Sequence, residues 1–157
     1  MLSPGALAPN FRLTDEAGRP HSLASLTSDA TLVLFFYPAD FTPACTKQVC
    51  AIRDIHAALA RAGLTVAGVS AQGSVSHAKF RAKHALPFIL LADTTKSVIR
   101  SYEVNGPLGL GVRRTTYLIS KDGRIQDVVR ADFNIDKHRE FVARAIGAVS
   151  TSQATAT

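Results

Sequence analysis

Apolar positions along this chain follow two rhythms. Short β-branched or aromatic runs lie at Thr31–Phe36, Thr65–Ser70, Phe88–Ala92, Thr115–Ser120 and Ile125–Val129, each with the length and make-up of a strand. Between and after them run longer stretches with helical spacing. Pro43–Ala62 puts Val49, Ile52, Ile55, Ala58 and Leu59 on one face, and Gly63 follows as a stop. Ser74–His84 is a second helical stretch. A third, Asp136–Val149, opens on Asp136 as a cap and repeats apolar residues at Phe141, Val142, Ala145, Ile146 and Val149. This alternation predicts an α/β fold around a central, buried sheet. Asp122-Gly123 predicts a hairpin joining the last two strands. Phe11–Leu13 and His21–Leu23 predict a small extra hairpin around Glu16-Ala-Gly18. No repeat or linker interrupts the pattern, so residues 1–149 read as one domain, with the small, polar stretch 150–157 as a flexible tail.

Composition narrows the class without changing the fold. The chain has 157 residues, 46% hydrophobic and 19% charged, which suits one well-buried core. The longest apolar run, Leu32 to Tyr37, is far shorter than the roughly 20 residues of a membrane span. The opening Met-Leu-Ser-Pro-Gly-Ala-Leu-Ala-Pro lacks the basic start and long apolar stretch of a secretory signal, which gives the expectation of a cytoplasmic protein. The net charge of +6 raises nucleic-acid binding. However, the basic residues are scattered among acidic ones, the only adjacent pair is Arg113-Arg114, and no aromatic interleaving accompanies it. Neither a nucleic-acid nor a membrane partner is expected.

Candidate chemistry gathers where the strand Thr31–Phe36 passes into the first long helix. In Asp40-Phe-Thr-Pro-Ala-Cys45, Pro43 suits the first helical position and Thr42 the cap before it. Cys45 then falls in the first turn, near unpaired backbone N–H groups and the positive end of the helix dipole. Both favour the thiolate, the nucleophilic form. The Thr42 hydroxyl, three residues back, is placed to donate to that thiolate or to a peroxide oxygen. A capped helix holding an inert buried cysteine fits the same segment, and Cys50 read alone fits a small buried residue. Two cysteines five apart on a helix have Cα atoms roughly 8–9 Å apart, beyond the limit of about 7 Å for a disulfide. If the two pair, the first turns must unwind. In a cytoplasmic protein a catalytic or redox-sensing pair is the more natural use than a permanent staple.

Other chemistries find less support. Two cysteines and His56 leave a structural zinc short of ligands, and the Cys-x2-Cys of dithiol exchange is absent. Gly68-Val-Ser70-Ala-Gln72 lacks the second glycine of a nucleophile elbow. Gly106-Pro-Leu-Gly109-Leu-Gly111 resembles a phosphate loop only in composition and reads as a flexible loop. The histidines at 21, 56, 77, 84 and 138 show no carboxylate pairing in sequence, and surface roles are expected for each.

The residues Phe35-Phe-Tyr-Pro-Ala-Asp-Phe-Thr-Pro-Ala-Cys45-Thr-Lys-Gln-Val-Cys50 closely resemble the active-site segment of peroxiredoxins, and the Cys-x4-Cys spacing resembles the peroxiredoxin Q, or bacterioferritin comigratory protein, branch. Ala8-Pro-Asn-Phe, the stretch from Val69 to Asp93 and Arg114-Thr-Thr-Tyr-Leu-Ile119 extend the likeness through most of the chain. The resemblance implies a thioredoxin-like fold, a central mixed sheet flanked by helices with an N-terminal β-hairpin extension, and a peroxidase using no metal, haem or flavin. It implies Cys45 as the peroxidatic and Cys50 as the resolving cysteine, joined in an intramolecular disulfide and recycled by a thioredoxin- or glutaredoxin-like reductant. Thr42 would donate to the peroxide, Arg114 would stabilise the thiolate and polarise the O–O bond, and Pro38 would shield the sulfur from water. Arg113, pointing to the other side of a strand, carries no role. Ala44 stands where many relatives have glycine, adding one methyl group. No further cysteine serves a resolution between subunits, so a monomer is expected. A redox-dependent binding protein, in which the cysteine switch exposes a surface, is the alternative from another class.

Overall fold

The computed structural model describes the backbone of residues 1–155 and the side chains of residues 1–148. Seven strands form one mixed sheet: β1 (Arg12–Thr14), β2 (Pro20–Ser22), β3 (Thr31–Phe36), β4 (Leu64–Ser70), β5 (Ile89–Ala92), β6 (Thr115–Ile119) and β7 (Ile125–Arg130). Their order across the sheet is β2-β1-β5-β4-β3-β6-β7. The central pairs β3–β4 and β4–β5 are parallel, and the flanking pairs are antiparallel. Among the described residues five α-helices accompany them: α1 (Leu23–Thr27), α2 (Pro43–Arg61), α3 (Ser74–His84), α4 (Ser97–Ser101) and α5 (Ile135–Thr155).

The sheet divides the apolar residues between two faces because successive strand residues point in opposite directions. On β3, Leu32, Leu34 and Phe36 join a core with Leu26 of α1 and Ile99 of α4. Val33, Phe35 and Tyr37 join the other core, with Cys45, Val49, Ile52 and Leu59 of α2, Phe80 of α3, and Phe141 and Val142 of α5. The predicted 3-4 stripe of the first helix is the stripe that this second core buries. Gly68 of β4 faces Phe35, its cross-strand partner. A Cβ at Gly68 would lie 2.6 Å from the Phe35 ring, so the close approach needs glycine.

Most predicted elements appear with ends moved by one or two residues. The N-terminal hairpin is shifted by one at β1 and ends sooner at β2, because Ser22 and Ser25 form a reciprocal cap that starts α1 at Leu23. Gly63, at φ 78°, takes the left-handed conformation just past α2, and Gly123, at φ 81°, turns β6 into β7. The third predicted helix, expected to close at Val149, continues as α5 to Thr155. The side chains of 149–155, and all of 156–157, lie outside the described residues, and so does that part of the expected tail. The run 106–111 folds into a short 3-10 turn at Pro107–Gly109, closed by a bond from Gly106 N–H to the Gly111 carbonyl (3.1 Å). Among the described residues no helix is long and apolar enough to cross a membrane.

Candidate active site

The C-terminal end of β3 delivers the chain into a tight approach to α2. Phe41 stands at φ 65°, a left-handed turn that redirects the backbone, and Pro43 opens the helix with Thr42 in the extended cap conformation. Thr42 caps by position only. Its hydroxyl donates to the Ala39 carbonyl (2.9 Å) and makes no bond to a helix N–H. The expectation of a side-chain cap is therefore corrected: the hydroxyl is turned back toward Ala39 O, and its oxygen accepts from no helix N–H.

Cys45 sits in the first turn of α2 with no solvent exposure, and Cys50 lies partly buried further along the same unbroken helix; both are free. Arg114, in the residue before β6, is 3% exposed and crosses beneath the helix start. Its Nη1 donates to Cys45 Sγ at 3.3 Å and to Gln48 Oε1 at 2.6 Å. Its Nε donates to the Asp132 carbonyl at 3.2 Å, and its backbone N–H to Asp132 Oδ1 at 3.0 Å. The guanidinium is thus gripped from both ends and aimed at the sulfur. A planar fork held this way places its charge without having to reorganise. The expectation that Arg113 points to the other side does not hold: both arginines precede β6, and Arg113 pairs with Asp132 Oδ2 (3.0 Å) and lines the same cleft as Arg114.

A cleft of about 500 Å³ opens against this grouping. Pro38 and Ala44 wall it on one side, the 106–111 turn on another, and Arg114 and Phe133 close it. Its lining is largely apolar, and Phe133 and Leu110 beside it are exposed (97% and 72%). The structure therefore brings Pro38, Arg114 and Cys45 together at one place, with Thr42 on the adjoining turn. Cys50, at i+5 on intact α2, stays roughly 8–9 Å from Cys45 by helix geometry.

A buried polar cluster beneath the approach turn was not read from the sequence. The Tyr37 hydroxyl donates to Asp40 Oδ1 (2.6 Å), and the Ser76 hydroxyl donates to Asp40 Oδ2 (2.7 Å). His77 places Nδ1 2.7 Å from that same oxygen and Nε2 3.1 Å from the Leu91 carbonyl. Burial alone would raise the Asp40 carboxyl, but the bonds from His77, Tyr37 and Ser76 outweigh it, and the carboxyl lies below its ordinary 3.8. Burial first, then the Asp40 charge, pushes Tyr37 well above the ordinary phenol value. The cluster ties the residues before Cys45 to α3 and β5.

The expectation of surface histidines fails for two of the five; His21, His56 and His84 are partly exposed. His77 and His138 are fully buried, His77 on Asp40 and His138 between Thr116 Oγ1 and the Ala131 carbonyl (both 2.9 Å). His21 bonds the buried Asp15 (2.8 Å), His84 Nδ1 lies 3.8 Å from Cys50 Sγ, and His56 stacks against Phe88. A signal was present for the two buried rings. His77 precedes Phe80, and His138 precedes Phe141, by three residues, which puts each on its helix's buried face. Gln48 was missed too. It is 1% exposed, and its Nε2 is the one buried side-chain nitrogen or oxygen without a partner among the described residues.

The sheet order, the helix-borne cysteine and the arginine at its sulfur together define a class. The chain matches the AhpC/TSA family over residues 4–128 and belongs to it. Within that family it belongs to the peroxiredoxin Q, or bacterioferritin comigratory protein, branch. It is 34% identical to peroxidoxin BcpB from Mycobacterium tuberculosis, covering 94% of this chain and 98% of that one with a TM-score of 0.88. The bacterioferritin comigratory protein of Xanthomonas campestris, studied for its alkyl peroxide reduction activity, is 28% identical with a TM-score of 0.81, over 88% of this chain and 90% of that one. The chloroplastic peroxiredoxin Q of Arabidopsis thaliana is 41% identical over 138 residues, which is 87% of this chain and 63% of that protein. The chain thus spans 63% of the length of the Arabidopsis relative and of its Oryza sativa counterpart.

Proposed function

We propose that this chain is a thiol peroxidase that reduces hydrogen peroxide and organic hydroperoxides through Cys45 and is resolved by Cys50. One observation carries the reading: Arg114 Nη1 rests 3.3 Å from Cys45 Sγ at the start of α2. The guanidinium and the helix N-terminus both stabilise negative charge on the sulfur. A peroxide entering past Pro38 meets that thiolate. Sγ attacks one oxygen, the O–O bond breaks, and the leaving oxygen departs as alkoxide or hydroxide and takes up a proton. Arg114 stabilises the charge as it develops on the oxygens, and the Thr42 hydroxyl turns from Ala39 O to donate to the peroxide. Cys45 is left as a sulfenic acid. The apolar cleft favours alkyl hydroperoxides as well as hydrogen peroxide, in keeping with the Xanthomonas relative.

Resolution demands movement, because α2 keeps the two sulfurs apart. The first turns of α2 unwind, Cys50 attacks Cys45, and the disulfide forms within one chain. A thioredoxin- or glutaredoxin-like dithiol then restores both thiols by exchange. The reading takes the working form as a monomer in a reducing compartment, the cytoplasm, since the cycle needs a thiol reductant. A thioredoxin-coupled assay tests it. Cys45→Ser should consume no peroxide, and sustained turnover by that variant would overturn the reading. Many turnovers per wild-type chain separate a peroxidase from a redox-dependent binding protein, which oxidises once.

A further inference from the structure

The resolving thiol has a partner that peroxide chemistry at Cys45 does not use. His84, the last residue of α3, places Nδ1 3.8 Å from Cys50 Sγ. A thiol S–H has a proton to give there, and an imidazole nitrogen facing it accepts, leaving the ring proton on Nε2. Two further contacts hold this residue, one at the ring and one at the backbone. Phe80 packs its edge at 5.2 Å between ring centroids, and Arg53 Nη1 donates to the His84 carbonyl at 2.9 Å. That last bond joins α2, one turn past Cys50, to the end of α3. It pins the part of α2 that carries Cys50 and leaves the turns holding Cys45 to unwind.

Resting on the peroxidase reading, we infer that His84 is the general base for the resolving thiol. His84 Nδ1 takes the Cys50 proton as Cys50 Sγ attacks the Cys45 sulfenic sulfur. The S–S bond forms, the S–O bond breaks, and the departing hydroxide takes the proton from the imidazolium and leaves as water. In the reductive half, attack of a dithiol on Cys45 expels Cys50 as thiolate, and the ring, reprotonated from solvent, delivers a proton to it. The C-terminal end of α3 carries partial negative charge, which stabilises the transient imidazolium. Charged residues within a turn of the pair along their own helices include Lys47, Arg53 and Asp54 of α2, the last two bonded to each other at 3.0 Å, and Arg81 and Lys83 of α3. Arg81 is engaged by Glu16, and Lys83 lies over the Phe41 ring. No carboxylate bonds the His84 ring in the described structure, so the thiol is its acid–base partner.

Single-turnover mixing with one equivalent of hydrogen peroxide tests this. Sulfenic acid is followed by dimedone trapping and disulfide by intact mass, from pH 6 to pH 9. His84→Asn keeps an acceptor near Cys50 but cannot carry the proton. It should form sulfenic acid at the wild-type rate and close the disulfide about a hundredfold more slowly at pH 7. The deficit should shrink about tenfold per pH unit and vanish near pH 9, where free thiols ionise unaided. His84→Ala, should the Asn variant fold poorly, should show the same profile and be rescued by added imidazole. Wild-type closure at pH 7 in either variant, or a deficit equal at every pH, would overturn the assignment. Absence of both sulfenic acid and disulfide in the wild type would instead sink the peroxidase reading, and this inference with it.

Discussion

On the proposed reading, the chemistry at Cys45 depends on how rigidly one cation is held. Arg114 donates to the sulfur while Gln48 and the Asp132 carbonyl fix its two ends, so its charge arrives already oriented. Lysine would keep the charge and lose the fork. Arg114→Lys is therefore expected to slow sulfenic acid formation about a hundredfold, read by stopped-flow peroxide consumption, with an unchanged melting temperature marking the effect as chemical. Asp40 makes a different prediction. Its carboxylate accepts bonds from Tyr37, Ser76 and His77, and its side chain is about 1% exposed. Asp40→Asn should cost about 3 kcal/mol in urea unfolding, the usual scale for breaking a buried charged partnership. The folded carboxyl lies below its ordinary 3.8, so its stabilisation is full above that value and is lost as pH falls through the folded pKa. A wild-type acid-unfolding curve steeper below pH 3.8 than that of Asp40→Asn checks the sign.

At the scale of elements, what the sequence made legible was local. The 3-4 stripe of α2, Pro43 at its start and Gly63 at its end are neighbours in the chain, and they predicted the helix to within one residue. The short α1 and α4, five residues each, carry too few turns for a period to show. Pro38, Thr42 and Cys45 sit within one segment and were visible as a motif, and Arg114 was placed by resemblance. The contacts that complete the site were hidden because they join residues far apart in sequence: Gln48 to Arg114 across 66 positions, Asp40 to His77 across 37 and Cys50 to His84 across 34. No local pattern encodes them; only the sheet order brings them together. Gly68 shows the same dependence on packing, since its need for no side chain comes from Phe35 on β3. Gly68→Ala should destabilise the fold by about 2 kcal/mol, through overpacking, measured by thermal or denaturant melting.

For the whole molecule, the proposed cycle asks one part of the site to hold while another yields. β3, β4 and β6 fix Arg114 and the residues leading into α2 from within the sheet. The first turns of α2 lie at a helix end, where opening is least costly. The catalytic cycle of this account is an alternation between α2 intact with both thiols apart and α2 unwound with the sulfurs joined. Cys50→Ser should arrest that cycle after one round, leaving a sulfenic acid trappable by dimedone and no disulfide. The most direct test of the central claim is the intact mass of the reduced protein after one equivalent of peroxide. The account predicts loss of two hydrogens, about 2 Da, from a species of monomer mass, reversed by a dithiol. A covalent dimer, a stable gain of oxygen, or an unchanged mass would contradict it.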